Sequence, residues 1–177
     1  MRSLAETSPI SPDTPLRTTE NFASRAEQAG LEFSLNIPPR PLTVQANESQ
    51  LRQALGNLID NAIKFTLPGG DVSVTLRSMD TEAIVIVADT GVGIPDEDIS
   101  HLFERFHRGR NASSYTRNGF GLAIVQAIVI AHRGEVVADN TEQGARFTLT
   151  FRIMDSMNCP EKFRNVRGLM SLHAVLR

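Results

Sequence analysis

From Glu48 to Phe65 the apolar residues Leu51, Leu55, Leu58, Ile59, Ala62 and Ile63 recur with the period of a helix and form a single stripe. A helix with so long a stripe must lay it on another apolar layer, and the flanking sequence supplies strands. Before it, Leu31, Phe33, Leu35 and Ile37 alternate with polar residues, and after the turn at Pro38-Pro39-Arg40-Pro41 so do Leu42, Val44 and Ala46. After it, Leu67-Pro68-Gly69-Gly70 ends the helix and Val72, Val74 and Leu76 begin a strand. The run Ala83 to Ala88 is continuously apolar and β-branched, which predicts a central strand covered on both faces.

The remaining segments fit round these elements. Pro9, Pro12 and Pro15, with Ser and Thr between them, predict a flexible leader over residues 1–20. Phe22, Ala23, Ala26 and Ala29 then recur at helical spacing before Gly30. A short acidic helix follows Pro95, carrying Ile99, Leu102, Phe103 and Phe106 on one side. Arg108 to Asn118 lacks periodicity, as expected of a disordered stretch or a lid. Leu122 to Ala131 reads as a buried helix, and Val136 to Ala138 and Phe147 to Phe151 as closing strands. The order predicts an α+β fold, a two-layer α/β sandwich with helices on one face of a mixed sheet, over residues 21–151. Residues 152–177 do not continue the pattern; a weakly ordered tail without assigned function is expected there.

Composition narrows the function classes. The chain has 177 residues, 41% of them hydrophobic, enough for one globular domain with a core. Nine Phe, one Tyr and no Trp argue against a stacking surface for single-stranded nucleic acid, and a net charge of -2 leaves no footprint for duplex DNA. The single Cys159 excludes an intrachain disulfide and a multi-cysteine zinc site, so a cytoplasmic location is expected. Leu122 to Ala131, the longest apolar run, is broken by Gln126 and reaches about half of the ~20 residues that span a bilayer. With Glu6, Asp13 and Glu20 the N-terminus is unlike a transit peptide, and it lacks a signal-peptide pattern.

Three segments carry chemistry. On the Glu48–Phe65 helix, Gln53, Asn57, Asp60, Asn61 and Lys64 share a polar stripe. That is either a solvated face or a ligand-binding one. Two asparagines on one helix face are a costly choice for solvation alone, and an amide oxygen is a hard, neutral ligand for Mg²⁺. Asp89 closes the apolar strand and opens Asp89-Thr90-Gly91-Val92-Gly93-Ile94-Pro95, which is an ordinary turn or a base site. A buried carboxylate there accepts a hydrogen bond from the exocyclic amine of adenine, and glycines let backbone approach a ligand closely. Gly119-Phe120-Gly121-Leu122 stands before the buried helix, where tight packing and phosphate binding at a helix N-terminus are both open. Arg105, Arg108, Arg110 and Arg117 precede it, serving either solubility or the β- and γ-phosphates.

In this order the segments Asn57-Leu58-Ile59-Asp60-Asn61-Ala62-Ile63-Lys64, Asp89 to Pro95 and Gly119 to Leu122 resemble the N, G1 and G2 boxes of the sensor histidine kinase ATP-binding catalytic domain. That domain belongs to the histidine kinase, gyrase, Hsp90 and MutL ATPase superfamily, with its Bergerat-type fold, and the resemblance covers roughly residues 30–151. It implies that Asn61 ligates Mg²⁺, that Lys64 contacts phosphate, that Phe65 lines the adenine pocket and that Asp89 contacts adenine. Asn57, Asn61 and Lys64 would be the catalytic set. ATP would touch these three with Phe65, Asp89, Gly91, Gly93, Ile94, Arg105, Arg108, Gly119, Phe120, Gly121 and Leu122. The implied activity is transfer of the ATP γ-phosphoryl group to a histidine.

Departures from the pattern are few. Arg117 stands where the family commonly has the first glycine of its G2 box, and Gly144-Ala145-Arg146-Phe147 matches the last glycine box loosely. Gyrase-type ATPases place a Glu as general base where this chain has Asn57, which cannot take a proton. Lys64-Phe65-Thr66 resembles histidine kinases more than anti-sigma-factor serine kinases. None of His101, His107, His132 and His173 lies in a phosphoacceptor-like helix, so the expected partners are the phosphoacceptor (dimerisation) helices of a histidine kinase and, through them, a response regulator. A stand-alone serine kinase and a non-catalytic ATP-binding regulator remain the alternatives.

Overall fold

The long amphipathic helix forms with the bounds its pattern predicts. It is α2 (Glu48–Phe65), and the Asn47 side chain caps it by accepting from the Gln50 amide at 3.1 Å. Glu48 in the first turn and Lys64 in the last complement the helix dipole. At the far end the Thr66 hydroxyl donates to the Ala62 carbonyl at 2.7 Å as the backbone turns extended.

The structure, a computed structural model, describes residues 18–104, 121–154 and 169–176. Before α2 come α1 (Thr18–Gln28), β1 (Glu32–Asn36) and β2 (Thr43–Gln45). After it come β3 (Asp71–Met79), β4 (Glu82–Asp89), α3 (Asp96–Ile99), α4 (Gly121–Ala131), β5 (Glu135–Asn140) and β6 (Ala145–Arg152). The chain closes with β7 (Leu169–Ser171) and α5 (Leu172–Leu176). α1 therefore begins inside the stretch expected to be leader.

Five strands make one sheet in the order β1-β3-β4-β6-β5, with β1 parallel to β3 and every other pair antiparallel. The sheet is mixed, as the sequence predicts. Alternate residues of its strands face the helices: Val72, Val74 and Leu76 of β3, Ala83, Val85 and Val87 of β4, and Phe147, Leu149 and Phe151 of β6 are buried. Against them lie Leu51, Ala54, Leu55, Leu58, Ile59 and Ala62 of α2 and Val125, Ile128 and Val129 of α4. Burying each such aliphatic side chain stabilises the fold by about 1.5–3 kcal/mol.

Two expectations need correction. β4 is central, but among the described residues helices cover only one of its faces. On the other face Ile84 is buried between its cross-strand neighbours Arg77 and Thr150, and Ile86 is half-buried between Thr75 and Thr148. Neighbouring side chains on a sheet shield a β-branched residue without a second layer, so a continuous apolar run does not require one.

The second correction concerns the tail. β7 pairs antiparallel with β2, and Leu172, Val175 and Leu176 of α5 belong to the core. Arg52 of α2 donates to the carbonyls of Val175, at 3.2 Å, and Ala174. His173 is buried, with Nδ1 accepting from the Leu42 amide at 3.4 Å and Nε2 donating to the Pro38 carbonyl at 2.6 Å. A helix of five residues is too short to show periodicity, and its partners lie more than a hundred positions away in sequence.

Candidate nucleotide site

The sequence segments converge where α2 ends, β4 ends and α4 begins. Along the polar stripe of α2 the side chains divide. Asp60 is ion-paired to Arg25 of α1 at 2.5 Å and so braces two helices. Asn57 donates through Nδ2 to the Gly121 carbonyl at 3.3 Å, which joins the middle of α2 to the first residue of α4. Asn61 is half-buried, and its side chain makes no hydrogen bond to any other described residue. Lys64 places its ammonium 4.9 Å from the centre of the Phe65 ring. Gln53 is exposed.

Asp89 is the last residue of β4 and is only 7% exposed. Its Oδ1 accepts from the Gly91 amide at 2.9 Å and from the Ala145 amide at 3.3 Å. No described residue hydrogen-bonds its Oδ2. Burial pushes the Asp89 carboxyl pKa up, and the two backbone hydrogen bonds oppose that shift.

Close backbone approach explains the glycines round this carboxylate. A Cβ on Gly91 would stand 2.3 Å from the Phe65 carbonyl oxygen, and one on Gly144 would stand 2.4 Å from that of Asp89. Thr90 ties the same turn to β3, its hydroxyl accepting from the Asp71 amide at 2.8 Å. The Val92 amide donates to Phe65 at 3.2 Å. Asn140, at the end of β5, bonds both backbone groups of Ile94.

Of the residues expected at the site, Asn57, Asn61, Lys64, Phe65, Asp89, Gly91, Gly93, Ile94, Gly121 and Leu122 are carried by these neighbouring segments. Arg105, Arg108, Gly119 and Phe120 lie outside the described residues, as do Arg110 and Arg117. One supporting residue, Asn140, escapes sequence reasoning, and Gly144 and Ala145 enter it only as a loose match to the last glycine box. Asn140-Thr141-Glu142-Gln143-Gly144 between two strands carries only the signal of a turn, and its contact with the Asp89 loop spans 46 positions.

The described histidines are otherwise engaged. His132 donates from Nδ1 to the Ile128 carbonyl at 2.6 Å and accepts at Nε2 from the Asn47 amide at 3.0 Å. It therefore links the end of α4 to the start of α2. His101 pairs with Glu104 at 2.7 Å, and that hydrogen bond and charge raise its pKa. His107 lies outside the described residues.

Residues 46–154 match the sequence profile of the histidine kinase-, DNA gyrase B- and HSP90-like ATPase family. The chain belongs to that family. Among relatives of this ATPase domain, the sensor histidine kinase RppB of Synechocystis is 40% identical over 138 residues, which is 76% of this chain and 30% of RppB. The chain thus spans about a third of that relative's length. The structure of the mycobacterial sensor histidine kinase MprB superposes with a TM-score of 0.70 at 32% identity, covering 77% of this chain and 91% of that one. A structure of the histidine kinase ThkA in complex with the response regulator TrrA superposes at 0.65 with 25% identity, over 77% of this chain and 38% of that one. These relatives are histidine kinases and do not favour the serine-kinase or non-catalytic alternatives. Among the described residues no helix is long and apolar enough to cross a membrane.

Proposed function

We propose that this chain is the ATP-binding catalytic domain of a sensor histidine kinase. It would bind Mg-ATP and pass the γ-phosphoryl group to a histidine on phosphoacceptor helices, from which a response regulator would receive it. One observation carries the nucleotide reading: Asp89 is buried, held through Oδ1 by two backbone amides, and has Oδ2 unengaged by any described residue. A carboxylate fixed in that way accepts a hydrogen bond from the adenine amine, whereas guanine presents a carbonyl oxygen at that place.

The remaining residues divide the work of phosphoryl transfer, which is mostly positioning and neutralisation of charge. Asn61 fits a Mg²⁺ ligand: its amide is half-buried and spoken for by no described residue, and the described residues contain no competing cluster of carboxylates or histidines. The ion, when bound, would neutralise charge on the phosphates. Lys64 would add a cation near them, and the start of α4, steadied by Asn57, would offer backbone amides. Asn57 is a donor here and not a base, which supports transfer to another side chain over activation of water.

Calorimetry of the purified chain with Mg-ATP and Mg-GTP tests the site. Preference for ATP is expected, and equal affinity would overturn it. Transfer is tested with labelled ATP and a separate phosphoacceptor helix pair from a histidine kinase. An acid-labile label is expected on that partner and not on this chain; labelling of His101 or His132 here would contradict the reading.

A further inference from the structure

We infer that Asn140 is a positioning residue for base selection, acting through the loop that follows Asp89; this rests on the nucleotide reading above. Asn140 is the last residue of edge strand β5. Its Oδ1 accepts from the Ile94 amide at 2.8 Å, and its Nδ2 donates to the Ile94 carbonyl at 2.6 Å. A single side-chain amide thereby satisfies both backbone groups of one residue, as a paired strand would.

The clamp falls where the loop most needs one. Gly93 takes φ +69°, a conformation that favours glycine, and a Cβ there would stand 3.1 Å from the Asn140 Oδ1. The loop is tied at Thr90 to Asp71 and at Val92 to Phe65, so Asn140 supplies its third anchor, at Ile94. The same β5–β6 turn sends the Ala145 amide to Asp89 Oδ1 and lays Gly144 against the Asp89 carbonyl and the Gly91 amide. One hairpin therefore fixes both the carboxylate and the far end of the loop beside it.

Rigidity is what turns that arrangement into specificity. Rejecting guanine requires that its carbonyl oxygen stay opposed to the Asp89 carboxylate, and a loop free to shift relieves that opposition. Without the amide of Asn140, adenine loses some of its fit while guanine gains room. The ratio of the two affinities should move more than either one.

The test compares Asn140→Ala and Asn140→Asp with Asp139→Asn, a change at the neighbouring position that removes only an ion pair with Arg146. Asp at position 140 matches Asn in size but sets an oxygen against the Ile94 carbonyl. Both position-140 variants should lower the ATP-to-GTP affinity ratio by about tenfold, the scale of one or two lost hydrogen bonds. Amide exchange over residues 93–95 of the nucleotide-free protein should speed up by a similar factor, while Asp139→Asn leaves both unchanged. A folded Asn140→Ala with wild-type ratio and exchange overturns the inference, as does failure of both variants to fold. Wild-type protein that does not distinguish the nucleotides, but whose loop exchange still responds to Asn140, instead overturns the nucleotide reading and leaves the clamp standing.

Discussion

The two halves of α2 meet opposite demands. Its first half is fastened to distant segments: Leu51 and Leu55 are buried, Arg52 reaches the carbonyls at the end of α5, and the backbone amide of the capping Asn47 donates to His132 Nε2. In its second half Asn61 and Lys64 stand half-buried, and the Asn61 side chain is bonded to no described residue. Asp60 and Asn57 are the exceptions there, Asp60 turned aside to Arg25 and Asn57 donating to the Gly121 carbonyl. One end is fastened to a distant segment, while the other leaves the Asn61 amide bonded to no described residue. Stability and ligand binding should therefore respond to different substitutions along a single helix.

The sharpest test of that division is removal of the segment on the fastened end. Ending the chain after Met154 strips Leu172, Val175 and Leu176 from the core, and should cost on the order of 4 kcal/mol once the entropy of ordering α5 is offset. A thermal melt should show a fall of roughly 10 °C, at about 2–4 °C per kcal/mol. A drop of a degree or two would mean that α5 contributes nothing and that α2 is not anchored there.

Asn61→Ala probes the other end. Calorimetry should show ATP affinity falling at least about tenfold with Mg²⁺ present and much less in EDTA, because a metal ligand has gone and not a base contact. The melting temperature should hardly move. Equal losses under both conditions would make Asn61 structural and blur the distinction between the halves.

Asp89→Asn bears on the proposed base site next to it. Adenine discrimination should fall by about 1–3 kcal/mol when the carboxylate is replaced. Stability should change with the opposite sense. Burial raises the Asp89 pKa above its ordinary 3.8, so the folded chain holds that proton more tightly than the unfolded one. The stability from this group is full below 3.8 and is lost as pH rises through the folded value. Asn retains an oxygen for the Gly91 and Ala145 amides, so the variant should melt no lower than wild type at neutral pH. Any advantage should vanish towards acid, and melting curves against pH would expose the wrong sign at once.

The smallest effect is expected at Asp139, where the hydrogen bond and charge of Arg146 lower the carboxyl pKa. That contribution is present above the ordinary 3.8 and lost as pH falls through the folded value. Both side chains are more than 40% exposed, so Asp139→Asn should cost only a few tenths of a kcal/mol, at roughly the lower end for surface pairs. A larger loss, or any change in nucleotide affinity, would show the hairpin to be more than a support.

Local pattern by itself determined much of this protein. The period of Leu51 to Ile63 fixed α2 to its ends, the alternation from Val72 to Leu76 fixed β3, and Asp89 with Gly91 and Gly93 marked the turn at the end of β4. Those features depend on neighbours within a few residues, so the sequence carries them openly. Tertiary structure alone decided which face of β4 the helices cover, that α5 belongs to the core, and that Asp60 braces α1 while the Asn61 side chain bonds no described residue. It also brought Asn140 to Ile94 and Ala145 to Asp89. Each of these contacts joins positions more than thirty apart, and periodicity records only what repeats along the chain, not which distant backbone group a side chain will meet.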